Sequence, residues 1–172
     1  MGLLQVSSVT VTSPQASIFL TGIDDNSVYK CVVSNASNNS GSYQLRMRVA
    51  NSSTQDSANE YDYGYKLLRS DTTFDNGVVS NANMFAATTT STGTTSVQNY
   101  IFYFYNWYSE TEFSFWTNEE VAFDSGSKLI GATGGGVFTQ AERHDSVRFF
   151  TGSSVSAEFD TTQGTFTLYK VV

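Results

Sequence analysis

The sequence predicts an all-β protein, a single antiparallel β-sandwich of jelly-roll-like type over residues 1–172. Three observations carry that prediction. The 172 residues include 13 Phe, 10 Tyr and one Pro, and aromatic and β-branched residues favour strands. No stretch sustains apolar residues at i, i+3, i+4 and i+7, as an amphipathic helix requires. Short apolar runs instead recur at hairpin-like spacing between Gly, Asn and Ser clusters, giving about ten to twelve strands. A chain of this length holds one domain with its own core.

In chain order, the first strands are expected at Val6 to Val11 and Ser17 to Ile23, separated by Ser13-Pro14, and then at Val28 to Val33 before a turn cluster from Ser34 to Ser42. From Tyr43 to Val49, Leu45, Met47 and Val49 alternate with Gln44, Arg46 and Arg48, the pattern of a half-buried strand. Tyr61, Tyr63 and Tyr65 share one strand face, ahead of a long polar excursion around residues 70–96. A structureless loop of that length is uncommon, so it is either a functional surface segment or hides short strands.

The densest apolar run is Tyr100 to Tyr108, aromatic on both faces, as expected of a strand buried on both sides. Glu112 to Trp116, Val121 to Phe123, Lys128 to Ile130 and Val137 to Thr139 follow as separate short strands, broken at Gly126, Gly131 and the Gly134-Gly135-Gly136 hairpin tip. Ser146 to Phe150, Val155 to Phe159 and Thr165 to Val171 close the chain. The expected core comprises Phe19, Val32, Leu45, Met47, Phe102, Phe149, Phe166 and Leu168, with Arg46 and Arg48 on the opposite face from Leu45 and Met47.

Only 15% of residues are charged and the net charge is −7, which repels phosphate backbones and argues against nucleic acid as a partner. One cysteine, Cys31, and one histidine, His144, allow neither an internal disulfide nor a paired-His or Cys-based zinc site. The first twenty residues carry no basic n-region and no long apolar run, so neither a signal peptide nor membrane insertion is expected, and synthesis is placed in the cytoplasm.

Each candidate for chemistry has a plainer reading beside it. His144 precedes Asp145, but adjacent side chains on extended backbone face opposite ways, so Asp145 does not orient His144, and no G-x-S-x-G turn exists. Glu110 and Glu112 would share a face on an extended strand at a separation of roughly 6–7 Å, within the range of paired glycosidase carboxylates; the alternative is solvated hairpin rim. Asp24-Asp25-Asn26 and Asp75-Asn76-Gly77 offer hard oxygens without calcium-loop spacing and read as turns. No cofactor motif and no catalytic set emerges. Tyr61, Tyr63, Tyr65, Tyr103, Tyr105, Trp107, Tyr108 and Trp116 remain as interface or sugar-stacking residues, because a lone sandwich has few strands buried on both faces to hide so many rings.

Two stretches carry a resemblance. The segment SIFLTGIDDNSVYKCVVSN, followed after a polar loop by YQLRMRV, and the closing HDSVRFFTGSSVSAEFDTTQGTFTLYKVV resemble small structural proteins of tailed phages, particularly those of marine bacteria and cyanobacteria. Gly164, Phe166, Leu168 and Tyr169 match the closing hairpin of that group, and Lys170 stands where its pattern has glycine. The resemblance covers about 80 residues, chiefly the first 50 and last 30, and its motifs form fold rather than site. It implies a non-catalytic virion component, a capsid decoration protein or a part of a tail or head fibre. Its partners would be copies of itself, as a homotrimer or repeated array, and other virion proteins. The competing expectation from the aromatic residues is a carbohydrate-binding or carbohydrate-cleaving sandwich that meets a host glycan.

Overall fold

The computed structural model describes residues 2–38, 44–71, 74–87, 97–123, 128–152, 158–160 and 164–172. These form thirteen strands and no helix: β1 (Leu3–Thr10), β2 (Ser17–Thr21), β3 (Tyr29–Ala36), β4 (Arg46–Asn51), β5 (Thr54–Gln55), β6 (Tyr61–Arg69), β7 (Asp75–Ala82), β8 (Phe85–Ala86), β9 (Gln98–Tyr105), β10 (Ser114–Phe123), β11 (Leu129–Phe138), β12 (Ser146–Phe150) and β13 (Thr165–Val171). An eight-stranded sheet runs β1-β13-β3-β9-β10-β11-β6-β7, and a five-stranded sheet runs β2-β12-β4-β5 with β8 also on β4. All ladders are antiparallel. The protein is thus a β-sandwich. Its first and last strands lie side by side, and the chain crosses between sheets as a jelly roll does, although sheets of eight and five exceed the eight strands of a plain one.

The core fills the space between the inner faces. Phe102 lies near its centre, stacked on Tyr100 and Phe104 at 5.9 and 6.0 Å and met edge-on by Phe85 at 6.1 Å. Such contacts add about 0.5–1.5 kcal/mol each beyond the area they bury. Leu45, Met47, Phe149, Phe166 and Leu168 are buried as expected, and Arg46 and Arg48 stand opposite Met47 on β4. Phe19 and Val32 are corrections: both are only half-buried, and the core takes Ile18, Leu20, Cys31 and Val33 instead. Each sits in a run of consecutive apolar residues, where period two does not say which parity faces inward.

The glycine-rich stretch gives the largest correction. Gly131 and Gly134 to Gly136 lie inside one ten-residue strand, β11, not at a hairpin tip, and the two runs around Trp116 and Val121 likewise form one strand, β10. At Gly136 a Cβ would lie 2.3 Å from Cζ2 of Trp116 and 2.6 Å from the Asp62 carbonyl oxygen. The glycine is what lets the buried indole lie across the neighbouring strand.

Part of the 70–96 excursion is strand. β7 forms the edge of the large sheet and β8 pairs with β4, while residues 88–96 lie outside the described residues. Asp75, Asn76 and Gly77 open β7 rather than making a turn; Gly77 faces Tyr65, whose hydroxyl occupies the space of a side chain there. Ser34 to Ala36 belong to β3 rather than to a turn. Of the strand expected at Val155 to Phe159, residues 153–157 lie outside the described residues, and Phe159 bridges to Gln15 and Asn38.

Candidate functional site

Past Tyr105 the chain leaves β9 through Asn106, at a φ of 56°, and reverses over residues 106–113. The Ser109 hydroxyl accepts the N–H groups of Thr111 and Glu112, which fixes Glu110 and Glu112 on an exposed turn. The extended geometry expected for a carboxylate pair is therefore absent. Glu110 sits 3.6 Å from Arg143, whose guanidinium lies 4.9 Å from the Tyr108 ring. With Asn51, Glu142 and Asp145 these three border a polar cleft of about 480 Å³.

His144 and Asp145 face opposite ways, as the sequence required. His144 is buried, edge-on to Phe138 and Trp107 at 5.1 and 6.2 Å, and burial lowers its pKa to about 4. Neither ring nitrogen has a hydrogen-bond partner among the described residues. Asp145 accepts the Ser52 N–H at 2.5 Å and the Ser52 hydroxyl at 3.2 Å. Partial burial pushes its carboxyl up, but those bonds outweigh burial and hold it below the usual carboxylate range. Glu142 is raised by desolvation and by Asp56 and Glu60; its Oε1 is 3.9 Å from His144 Nε2. A base hydrogen-bonded to a nucleophile, the starting point of covalent catalysis, does not form at His144.

At the other turn, the Tyr29 hydroxyl donates to Asp24 at 2.8 Å and Lys170 lies 2.6 Å from Asp25. The Tyr29 bond, followed by Lys170, lowers Asp24, and Lys170 holds Asp25 at about 2. The two carboxylates of this turn thus already share one ammonium and one hydroxyl donor from within the chain.

The eight aromatic candidates separate into three groups. Trp107 and Trp116 are fully buried, Trp107 donating its indole N–H to the Ser146 carbonyl at 3.0 Å, so neither is open to a sugar or a neighbour. Tyr61 and Tyr63 are also core residues, Tyr61 donating to the Asp56 carbonyl at 3.1 Å, and Tyr65 packs against the core from its margin. Tyr103 and Tyr105 point outward from β9, and Tyr108 stays half-buried at the polar cleft.

That outward direction reveals a surface the sequence reading missed. On β10, Ser114, Trp116, Asn118, Glu120 and Ala122 face the core, whereas Phe115, Thr117, Glu119, Val121 and Phe123 face solvent. Phe115, Val121 and Phe123 are 42%, 47% and 49% exposed. Inside, among the described residues, Asn118 has no partner for either amide atom and Glu120 has none for Oε2. The register carries the outward set across the sheet: Tyr169, Lys30, Tyr103, Thr117, Gly135, Gly64 and Val78 form one row, and Val32, Ile101 and Glu119 lie in the next. Two depressions open on this face, one of about 430 Å³ bordered by Leu3, Lys30, Tyr103 and Tyr105, the other of about 330 Å³ bordered by Val32, Ile101 and Val121. The clue was the alternation of SFWTNEEVAF, whose outward set holds three apolar residues against two in its inward set. Comparison of the chain with protein-family models, curated proteins and solved structures found no match.

Proposed function

We propose that this protein is a non-catalytic structural module that assembles through the outer face of its eight-stranded sheet, and that the assembly is a tailed-phage virion, with the chain as an outer decoration or a tail or fibre component. The inverted polarity of β10 carries the assembly reading. A strand that turns phenylalanines to water and an unsatisfied amide to the core departs from the binary pattern, and such departures collect where function requires them. Size agrees. Eight strands about 4.8 Å apart with roughly eight residues each at about 3.3 Å span roughly 1,000 Å², enough for the ~800 Å² per partner of a standard interface. The virion setting rests on the resemblance of the two ends of the chain.

Tyr103 and Tyr105 beside Lys30 favour a second reading, a glycan-binding face, because two tyrosines over a depression of about 430 Å³ suit the apolar side of a sugar ring. Sedimentation of the wild type and of Phe115→Glu/Phe123→Glu separates the two. Assembly predicts an oligomer, or attachment to particles, that the exposed substitutions abolish without lowering Tm. A monomer with no affinity for any particle component, but with glycan binding lost on Tyr103→Ala, would replace the assembly reading.

A further inference from the structure

The outer face of the small sheet gathers three of the five arginines of an otherwise acidic chain. Arg148 on β12 pairs directly with Arg48 on β4 and with Phe19 on β2, while Phe150 pairs with Arg46. The guanidiniums of Arg48 and Arg148 lie 5.2 and 4.9 Å from the Phe150 ring, and that of Arg148 is also 5.7 Å from Phe19. Arg48 donates its Nε–H to the Asn83 carbonyl at 2.8 Å, and Arg148 donates to the Gln55 side-chain oxygen. Among the described residues, the buried Nε groups of Arg46 and Arg148 have no acceptor.

The other cations of the chain have anions or ring faces nearby. Lys170 meets Asp24 and Asp25, Arg69 and Lys128 meet Asp71, and Arg143 meets Glu110; Lys30 and Lys66 lie over Tyr103 and Phe74. Among the described residues, no carboxylate stands within 4 Å of Arg46, Arg48 or Arg148. Like charges directly opposite on neighbouring strands repel, and partial burial adds a desolvation cost. Stacking on Phe150 offsets some of this, but leaves the net charge and the free Nε donors in place.

We propose that this arginine–phenylalanine face is an oxyanion-binding site for a phosphate, sulfate or carboxylate group. Guanidiniums bind such groups through paired N–H donors in a planar fork, Phe150 holds two of the forks in place, and an anion brings a direct charge partner where, among the described residues, Asp56 acts on Arg48 only from beyond 4 Å. The site lies on the opposite sheet from the assembly face and does not depend on it.

Calorimetric titration of the full chain with inorganic phosphate, sulfate and acetate, at ionic strength held constant with chloride, tests the proposal. Affinity above that of chloride is expected, falling at least tenfold in Arg148→Gln. Arg148→Lys, which keeps the charge and loses the fork, should lie between. The strongest anion identifies the group as phosphoryl, sulfuryl or carboxyl. Should a variant fail to fold, the wild-type Nε–H resonances of Arg46 and Arg148 must shift with added anion. Equal affinities in wild type and Arg148→Gln, or unmoved resonances, overturn the site.

Discussion

Glu120→Gln should change how stability depends on pH. Glu120 is 6% exposed on the inner face of β10, and burial raises its pKa from 4.5 to about 8. The Tyr100 hydroxyl, 2.5 Å from Gln98 Oε1 and 3.2 Å from Glu120 Oε1, has one proton for two acceptors, so a protonated Glu120 suits the site. A raised carboxyl pKa means that the folded protein holds a proton the unfolded chain releases. Stability is therefore highest below 4.5 on this group's account and falls as pH rises towards 8, by about 4–5 kcal/mol in all. His144 acts in the opposite sense. Its pKa falls from 6.5 to about 4, so its contribution is full above 6.5 and is lost as pH falls towards 4, about 3 kcal/mol in all.

Between pH 4.5 and 6.5 the two slopes largely cancel. From 6.5 to 8 Glu120 acts without His144, and about 2 kcal/mol should be lost. Urea unfolding at half-unit steps across pH 5–8.5 measures this directly. The wild type should weaken above 6.5, and Glu120→Gln, neutral and of the same size, should remove that decline and be the more stable protein at pH 8. Parallel curves for the two proteins would mean that Glu120 is ionised in the fold and that burial does not raise its pKa.

The other expectations concern single contacts. His144→Phe, which keeps a ring between Trp107 and Phe138, leaves Glu120 unopposed below pH 6.5, so Tm should rise as pH falls from 6.5 to 4.5, where the wild type stays nearly flat. Gly136→Ala should destabilise by about 2–3 kcal/mol in urea unfolding, because the methyl must displace Trp116 or the Asp62 backbone. Trp107→Phe should cost about 2–4 kcal/mol at an unchanged urea m-value, since it opens a cavity and leaves the Ser146 carbonyl without its donor.

The all-β class and the terminal strands were legible because their periodicity and turn residues agree: β12 and β13 run over the residues expected, and Leu45, Met47, Phe149, Phe166 and Leu168 fill the core. Glycine misled where it acts as clearance rather than punctuation. Gly131 and Gly134 to Gly136 read as breaks, yet they are strand positions flattened for Trp116 and for close neighbouring strands. Short apolar triplets hid the parity of Phe19 and Val32. At the candidate site, the position of His144 relative to Asp145 followed from alternation alone, whereas the burial of Trp107 and Trp116 depends on a second sheet far away in sequence. The apolar outer face was hidden for a related reason: β10 alternates with its polarity reversed, and only the pairing of β9 and β11 beside it shows which side is out.

The most direct test of assembly through the large sheet is a density map of the intact particle or oligomer with this chain located in it. Assembly through this face requires that Phe115, Val121 and Phe123 lie under a neighbouring chain, with about 800 Å² of the outer face covered. A map that leaves this face open to solvent, while the chain is held by another surface, would contradict it.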